Sequence, residues 1–128
     1  MNALVAVAVG GAIGSVARHY LTIVVSAFAG AAFPWATLLI NILGSAVIGA
    51  FAALGAPESR FGIAPEWLLF VTTGLCGGFT TFSAFSLQTL MLLREGEVTW
   101  ALAYVALSVA LCLLGVWLGY QSGVALVR

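Results

Sequence analysis

The feature that most restricts what this chain can become is a succession of four long apolar runs: about Leu4 to Phe28, Phe33 to Leu54, Pro65 to Leu93 and Val98 to Leu126. At a helical rise of about 1.5 Å per residue, each is long enough to cross a hydrocarbon core of about 30 Å. Charge is scarce between them and within them. Charged residues make up 6% of the chain, against about a quarter in ordinary soluble domains, so lipid is the expected solvent for most of the surface. Arg18, Arg60, Arg94 and Arg128 face Glu58, Glu66, Glu95 and Glu97, with no Lys or Asp. A nucleic-acid partner is excluded because no basic stripe exists to meet phosphates. Membrane lipid is the expected surround. The 128 residues accommodate the four spans and leave no room for a soluble domain. The expectation is one all-α integral membrane domain over residues 1–128. Its start lacks the basic n-region of a cleaved signal and is expected to remain as the first helix.

The joints carry turn chemistry. Residues 29–34 hold Gly30 and Pro34, residues 55–60 combine Gly55, Pro57, Glu58 and Arg60, and Arg94-Glu95-Gly96-Glu97 is a tight polar turn. An even number of spans puts both termini and the second joint on one side of the membrane. Arg60 and Arg128 then lie on that side, with Arg18 and Arg94 towards the other. The positive-inside bias is two against two, which barely specifies an orientation. Insertion in both orientations, followed by antiparallel pairing, is the sharper reading of that balance. Gly10 and Gly14, four apart, and the longer series Gly115, Gly119 and Gly123 read as seams for close helix packing.

Polar residues inside spans are costly and turn towards protein or a water-filled path. Thr37, Asn41 and Ser45 lie four apart on the second span; Tyr104, Ser108 and Cys112 do the same on the fourth. Such stripes either bond the helices together or offer uncharged donors to an anion. Asn41 is the more demanding member, since its amide has several hydrogen-bonding positions to satisfy. Cys76 and Cys112 show no metal-ligand spacing and read as small apolar residues.

The third span contains Thr72-Thr73-Gly74-Leu75-Cys76-Gly77-Gly78-Phe79-Thr80-Thr81-Phe82-Ser83-Ala84-Phe85-Ser86, with three glycines and four threonines in its first ten residues. Both residue types disfavour a continuous helix, and a break near mid-membrane is expected. It serves either as a packing kink or as a place where freed carbonyls hold a cation. Phe82 and Phe85 follow on one helical face. They are either ordinary lipid-facing or core aromatics, or rings whose positive edges meet an anion.

These motifs together resemble the Fluc (CrcB) family of small fluoride channels. The resemblance spans essentially the whole chain: residues 10–18 on the first span, 36–44 on the second and 77–86 on the third, the last being highly specific. It implies a fluoride-selective channel giving passive export of cytoplasmic fluoride, assembled as an antiparallel, dual-topology homodimer in the cell membrane, with a bacterial inner membrane expected. It implies two pathways at the dimer interface, with Phe82 and Phe85 lining them, Asn41 donating a hydrogen bond, Thr81 adjoining them, and Tyr104 and Ser108 on a polar track. It also implies a central structural sodium ion held by backbone carbonyls of Gly77 and Thr80 from both subunits. Gln88 departs from the glutamate expected beyond the phenylalanines, and Cys112 from a serine on the track.

Two other functions compete. A four-helix, dual-topology proton-coupled multidrug exporter needs a carboxylate inside the membrane, and all four glutamates fall in or beside the joints. A purely structural membrane subunit has no evident use for the broken third span. No nucleotide loop, metal cluster or nucleophile–base pair suggests an enzyme, and the lone His19 sits in the second half of the first span.

Overall fold

The computed structural model describes residues 2–127; Met1 and Arg128, the latter one of the four arginines counted for orientation, lie outside the described residues. Four stretches are long and apolar enough to cross a membrane, and regular structure among the described residues is helical throughout. Helix α1 (Ala3–Ala29) opens on Asn2, whose side chain accepts from the Leu4 N–H at 2.9 Å. It closes at Gly30, in the left-handed region with φ +76°, where the Gly30 N–H returns to the Ser26 carbonyl. Helix α2 (Trp35–Leu54) follows Pro34.

The third span has two halves. The first, α3 (65–79), starts as an α-helix at Pro65–Leu69, becomes a π-helix over Phe70–Cys76, and returns to α geometry at Gly77–Phe79. Pro65 at the first position has no N–H to leave unpaired, and Glu66 in the first turn complements the helix dipole. Thr80 (φ −79°, ψ 160°) and Thr81 (φ −156°, ψ 114°) are extended. The second half, α4 (Phe82–Arg94), restarts on Thr81, whose hydroxyl oxygen accepts from the Ala84 N–H at 3.2 Å. Helix α5 (Val98–Val127) is the fourth span.

The break therefore exists, just beyond the glycines expected to cause it. Gly77 keeps helical angles (φ −62°, ψ −38°). Most of the glycines serve packing instead. A Cβ on Gly10 would stand 2.9 Å from the Leu75 nitrogen, and one on Gly14 would stand 2.9 Å from the Phe79 nitrogen. Gly74 and Gly78 return the contact on Gly10 and Gly11. Contacts advance together along both helices, so α1 and α3 run parallel. The second parallel pair is α2 with α5: Gly115 meets Ile42, Gly119 meets Ala46 and Gly123 meets Ala50, while Gly49 meets Val116 and Tyr120. Small residues let these backbones touch where lipid supplies no hydrophobic drive between helices.

The charged side chains collect at the ends. Glu58 and Arg60 lie in the α2–α3 joint, Glu66 in the first turn of α3, Arg94 in the last turn of α4, and Glu95 and Glu97 in the following turn. Arg18 is the exception, placed well inside α1 about three turns before its end. It carries less weight in the orientation balance than a loop arginine would.

Candidate functional site

Asn41, on α2, faces the point where α3 stops. Its side-chain oxygen accepts from the Thr81 N–H at 2.8 Å and its Nδ2 donates to the Thr81 carbonyl at 3.1 Å. The amide thus pairs with one exposed peptide group as a neighbouring strand would. Thr81 can stay extended inside the membrane because a side chain from another helix satisfies its N–H and carbonyl. One Nδ2 proton of Asn41 remains for another acceptor.

The same local geometry takes the helical donors from the carbonyls before the break, those of Gly77 and Thr80 among them. In a continuous helix the Gly77 and Thr80 carbonyls would accept from Thr81 and Ala84 respectively. The Thr81 N–H points instead to Asn41 and the Ala84 N–H to the Thr81 hydroxyl oxygen. Thr80 binds back through both its N–H (2.9 Å) and its hydroxyl (2.8 Å) to the Cys76 carbonyl, which fixes the turn just before the break. A Cβ on Gly77 would meet nothing within 4 Å. Within the single chain a larger side chain there is not excluded by contact.

A cleft of about 430 Å³ opens at the break. Asn41, Gly77, Thr80, Thr81, Phe82, Phe85 and Ser108 all line it. Seven of the eight residues singled out in the sequence are therefore brought to one place. Phe82 is 78% exposed and Phe85 9%, their ring centroids 5.3 Å apart, so one ring stands at the mouth and the other in the wall. The Ser108 hydroxyl is buried and has no hydrogen-bond partner among the described residues. A buried hydroxyl left unpaired costs about 1–3 kcal/mol, which a ligand accepting its proton would relieve.

Tyr104 is the eighth, and it stands behind the cleft wall. It is 0% exposed, its ring lies 5.1 Å from that of Phe85, and its hydroxyl donates to Gln88 Oε1 at 2.8 Å. Gln88 in turn donates through Nε2 to the Thr37 hydroxyl at 2.9 Å. The upper members of the two polar stripes, Thr37 and Tyr104, are thus tied together through Gln88, whereas Asn41, Ser45, Ser108 and Cys112 face the cleft. A glutamine does here what a carboxylate cannot, since it donates and accepts at once. Cys112, which its spacing puts on one stripe with Ser108, is part of the lining.

Among the described residues no carboxylate, arginine or histidine lines the cleft. Its chemistry is that of uncharged donors, backbone carbonyls and aromatic edges, a set suited to a small ion stripped of water. Fold and site together define a small multi-pass membrane protein with an uncharged cleft at a broken span. A family model described as "CrcB-like protein, Camphor Resistance (CrcB)" matches residues 5–120. A protein of Rhodospirillum rubrum named "Fluoride-specific ion channel FluC" is 54% identical over 118 residues, covering 92% of each chain. Its namesake in Methylocella silvestris is 52% identical over 92% of this chain and 90% of its own. Another in Rhizobium meliloti is 43% identical over all of this chain and 98% of its own. The chain belongs to the CrcB family.

Proposed function

We propose that this protein is a fluoride-selective ion channel that lets cytoplasmic fluoride leave down its gradient. The observation that carries the reading is the uncharged cleft at the helix break, where the unpartnered Ser108 hydroxyl, Asn41 and the Phe82–Phe85 pair converge. Relatives named fluoride-specific channels over nearly the full length agree with it. The energetic problem is dehydration, which for a small hard anion costs tens of kcal/mol in the idealised limit. The Ser108 hydroxyl and the second Asn41 Nδ2 proton replace part of the lost hydration, and the ring edges of Phe82 and Phe85 present positive potential without a fixed charge that would trap the ion. A single subunit leaves Phe82 open at its surface, which supports an antiparallel homodimer in which the partner covers the mouth and a second, inverted cleft forms. The location is the bacterial cell membrane, with lipid around the outer faces.

A structural sodium ion fits the same region. The Gly77 and Thr80 carbonyls are without their helical donors and beside the cleft, and neutral oxygens suit a hard monovalent cation. These two residues of each subunit would hold it, and its charge would add positive potential at the dimer centre.

The deciding experiment is fluoride efflux from liposomes holding only the purified protein. Efflux that needs a potassium ionophore to balance charge, and no proton gradient, is the expected result. Efflux driven by a proton gradient without charge movement would favour the exporter reading. No efflux from folded, reconstituted protein would refute transport of fluoride altogether.

A further inference from the structure

The linker between α1 and α2 is exposed at Ala31 and Ala32, yet Phe33 next to them is only 6% exposed. It precedes the cap residue Pro34 and shares a core cluster with Leu38, four positions into α2. That is the arrangement of a hydrophobic staple, which fixes the angle at which a chain enters a helix. A staple requires only an apolar side chain. Phe33 has a more specific set of neighbours: its ring centroid lies 4.5 Å from that of Trp35, 5.7 Å from that of Trp100 and 5.4 Å from that of Tyr104, the last at an interplanar angle of 79°.

We propose that Phe33 is a positioning residue for the permeation path: its ring stands edge-on to Tyr104 and holds that side chain where its hydroxyl meets Gln88 and its ring backs Phe85. The inference rests on the channel reading above. Tyr104 is gripped on three sides, by Phe33, by Phe85 and through its hydroxyl by Gln88. The contacts then continue from Phe85 to Phe82 at the mouth of the cleft. Thr37, which receives the other end of Gln88, begins the same helix that Phe33 staples. Linker, α2, α4 and α5 therefore meet around one phenol ring. No member of the Thr37–Gln88–Tyr104 chain is formally charged, so its geometry rests on hydrogen-bond direction and ring contact alone. A shift of Phe33 moves Tyr104, and with it the wall behind Phe85.

Phe33→Leu separates this role from stapling, because leucine keeps an apolar contact with Leu38 and removes the edge-to-face pair. Fluoride efflux is measured for the parent, Phe33→Leu, Tyr104→Leu and the double variant, at equal amounts of folded protein by size-exclusion chromatography. Aromatic pairs of this geometry are worth enough to make the expected loss in Phe33→Leu about fivefold to tenfold. Once Tyr104→Leu has already removed both the ring and the bond to Gln88, adding Phe33→Leu should lower efflux less than twofold. Equal losses in both backgrounds would show that Phe33 acts independently of Tyr104 and would overturn the proposal. Parental efflux in Phe33→Leu would leave only the staple and overturn it too. A parent that passes no fluoride overturns the channel reading, and this inference with it.

Discussion

Replacing Asn41 by alanine removes, in one step, both hydrogen bonds that satisfy the Thr81 peptide. The N–H loses an acceptor at 2.8 Å and the carbonyl a donor at 3.1 Å. Each group left unpaired in a poorly hydrated place costs about 1–3 kcal/mol. Thr81 is half-buried and borders the cleft, so water can reach part of it and the lower end of the range applies. The expected destabilisation is about 2–3 kcal/mol in reversible unfolding in mixed micelles. Fluoride efflux should fall at least tenfold, because the same change removes the remaining Nδ2 proton and loosens the turn carrying the Gly77 and Thr80 carbonyls. Asn41→Asp divides the effect. It retains an acceptor for the Thr81 N–H, so its stability should exceed that of Asn41→Ala if the carboxyl group is neutral. When ionised it presents negative charge to the cleft and should suppress efflux. A stability for Asn41→Ala within about 0.5 kcal/mol of the parent would refute the reasoning, since it would mean that the Thr81 peptide does not depend on Asn41.

Four further substitutions, two at glycines and two at one ring, test the seams and the rings. In Gly119→Val the new side chain would be driven into the Ala46 backbone, where a Cβ alone already comes within 3.0 Å of the Ala46 Cα; the expected result is loss of folded protein in detergent, whereas Gly77→Val should leave the isolated subunit folded. Phe82→Ile should lose most fluoride efflux while Phe82→Tyr retains more, because tyrosine keeps the ring edge and its hydroxyl can reach water at a position 78% exposed in the subunit. Near-parental efflux for Phe82→Ile would reduce that ring to an apolar wall.

The spans were legible because the signals that define them are local. Apolar runs bounded by Gly30 and Pro34, by Gly55 and Pro57, and by the Arg94–Glu97 turn gave helix ends within two residues of those observed. The break was expected for a reason that proved incomplete. Helix propensity pointed at the glycines, yet Gly74 and Gly78 are used for contact with α1 and stay helical, and the chain turns extended only at Thr80, where Asn41 from forty residues earlier supplies the missing bonds. No local scale contains that partner. Asn41 and Ser108 reach the cleft on the faces that their four-residue spacing marks, whereas Gly77, Thr80, Thr81, Phe82 and Phe85 come to it from one stretch of chain around the break. Tyr104 carried the same spacing but lies one layer back, since its large ring fills the space between Phe85 and Phe33 and its hydroxyl finds Gln88. Gln88 was visible only as an unusual residue, because a bridge between Thr37 and Tyr104 depends on three helices at once. Phe33, legible only as the first residue of the second apolar run, lies before the helix that begins at Trp35, and a large aromatic just ahead of Pro34 is the local signal of a staple.

The π-helical stretch Phe70–Cys76 gives the third span slack for one particular change in length. Its wider turns accommodate more residues than an α-helix would over the same register, and each residue of α-helix advances the facing direction by about 100°. Deleting one residue there would let the segment relax into α geometry while the helix on either side keeps nearly the direction it faces now. Gly78 would still meet Gly11 and Thr81 would still meet Asn41, with repacking confined to the surroundings of Gly74. A deletion in the α-helical turn Gly77–Phe79 has no such slack and would turn Thr81 away from Asn41. Where a residue is removed from this span therefore matters more than that one is removed.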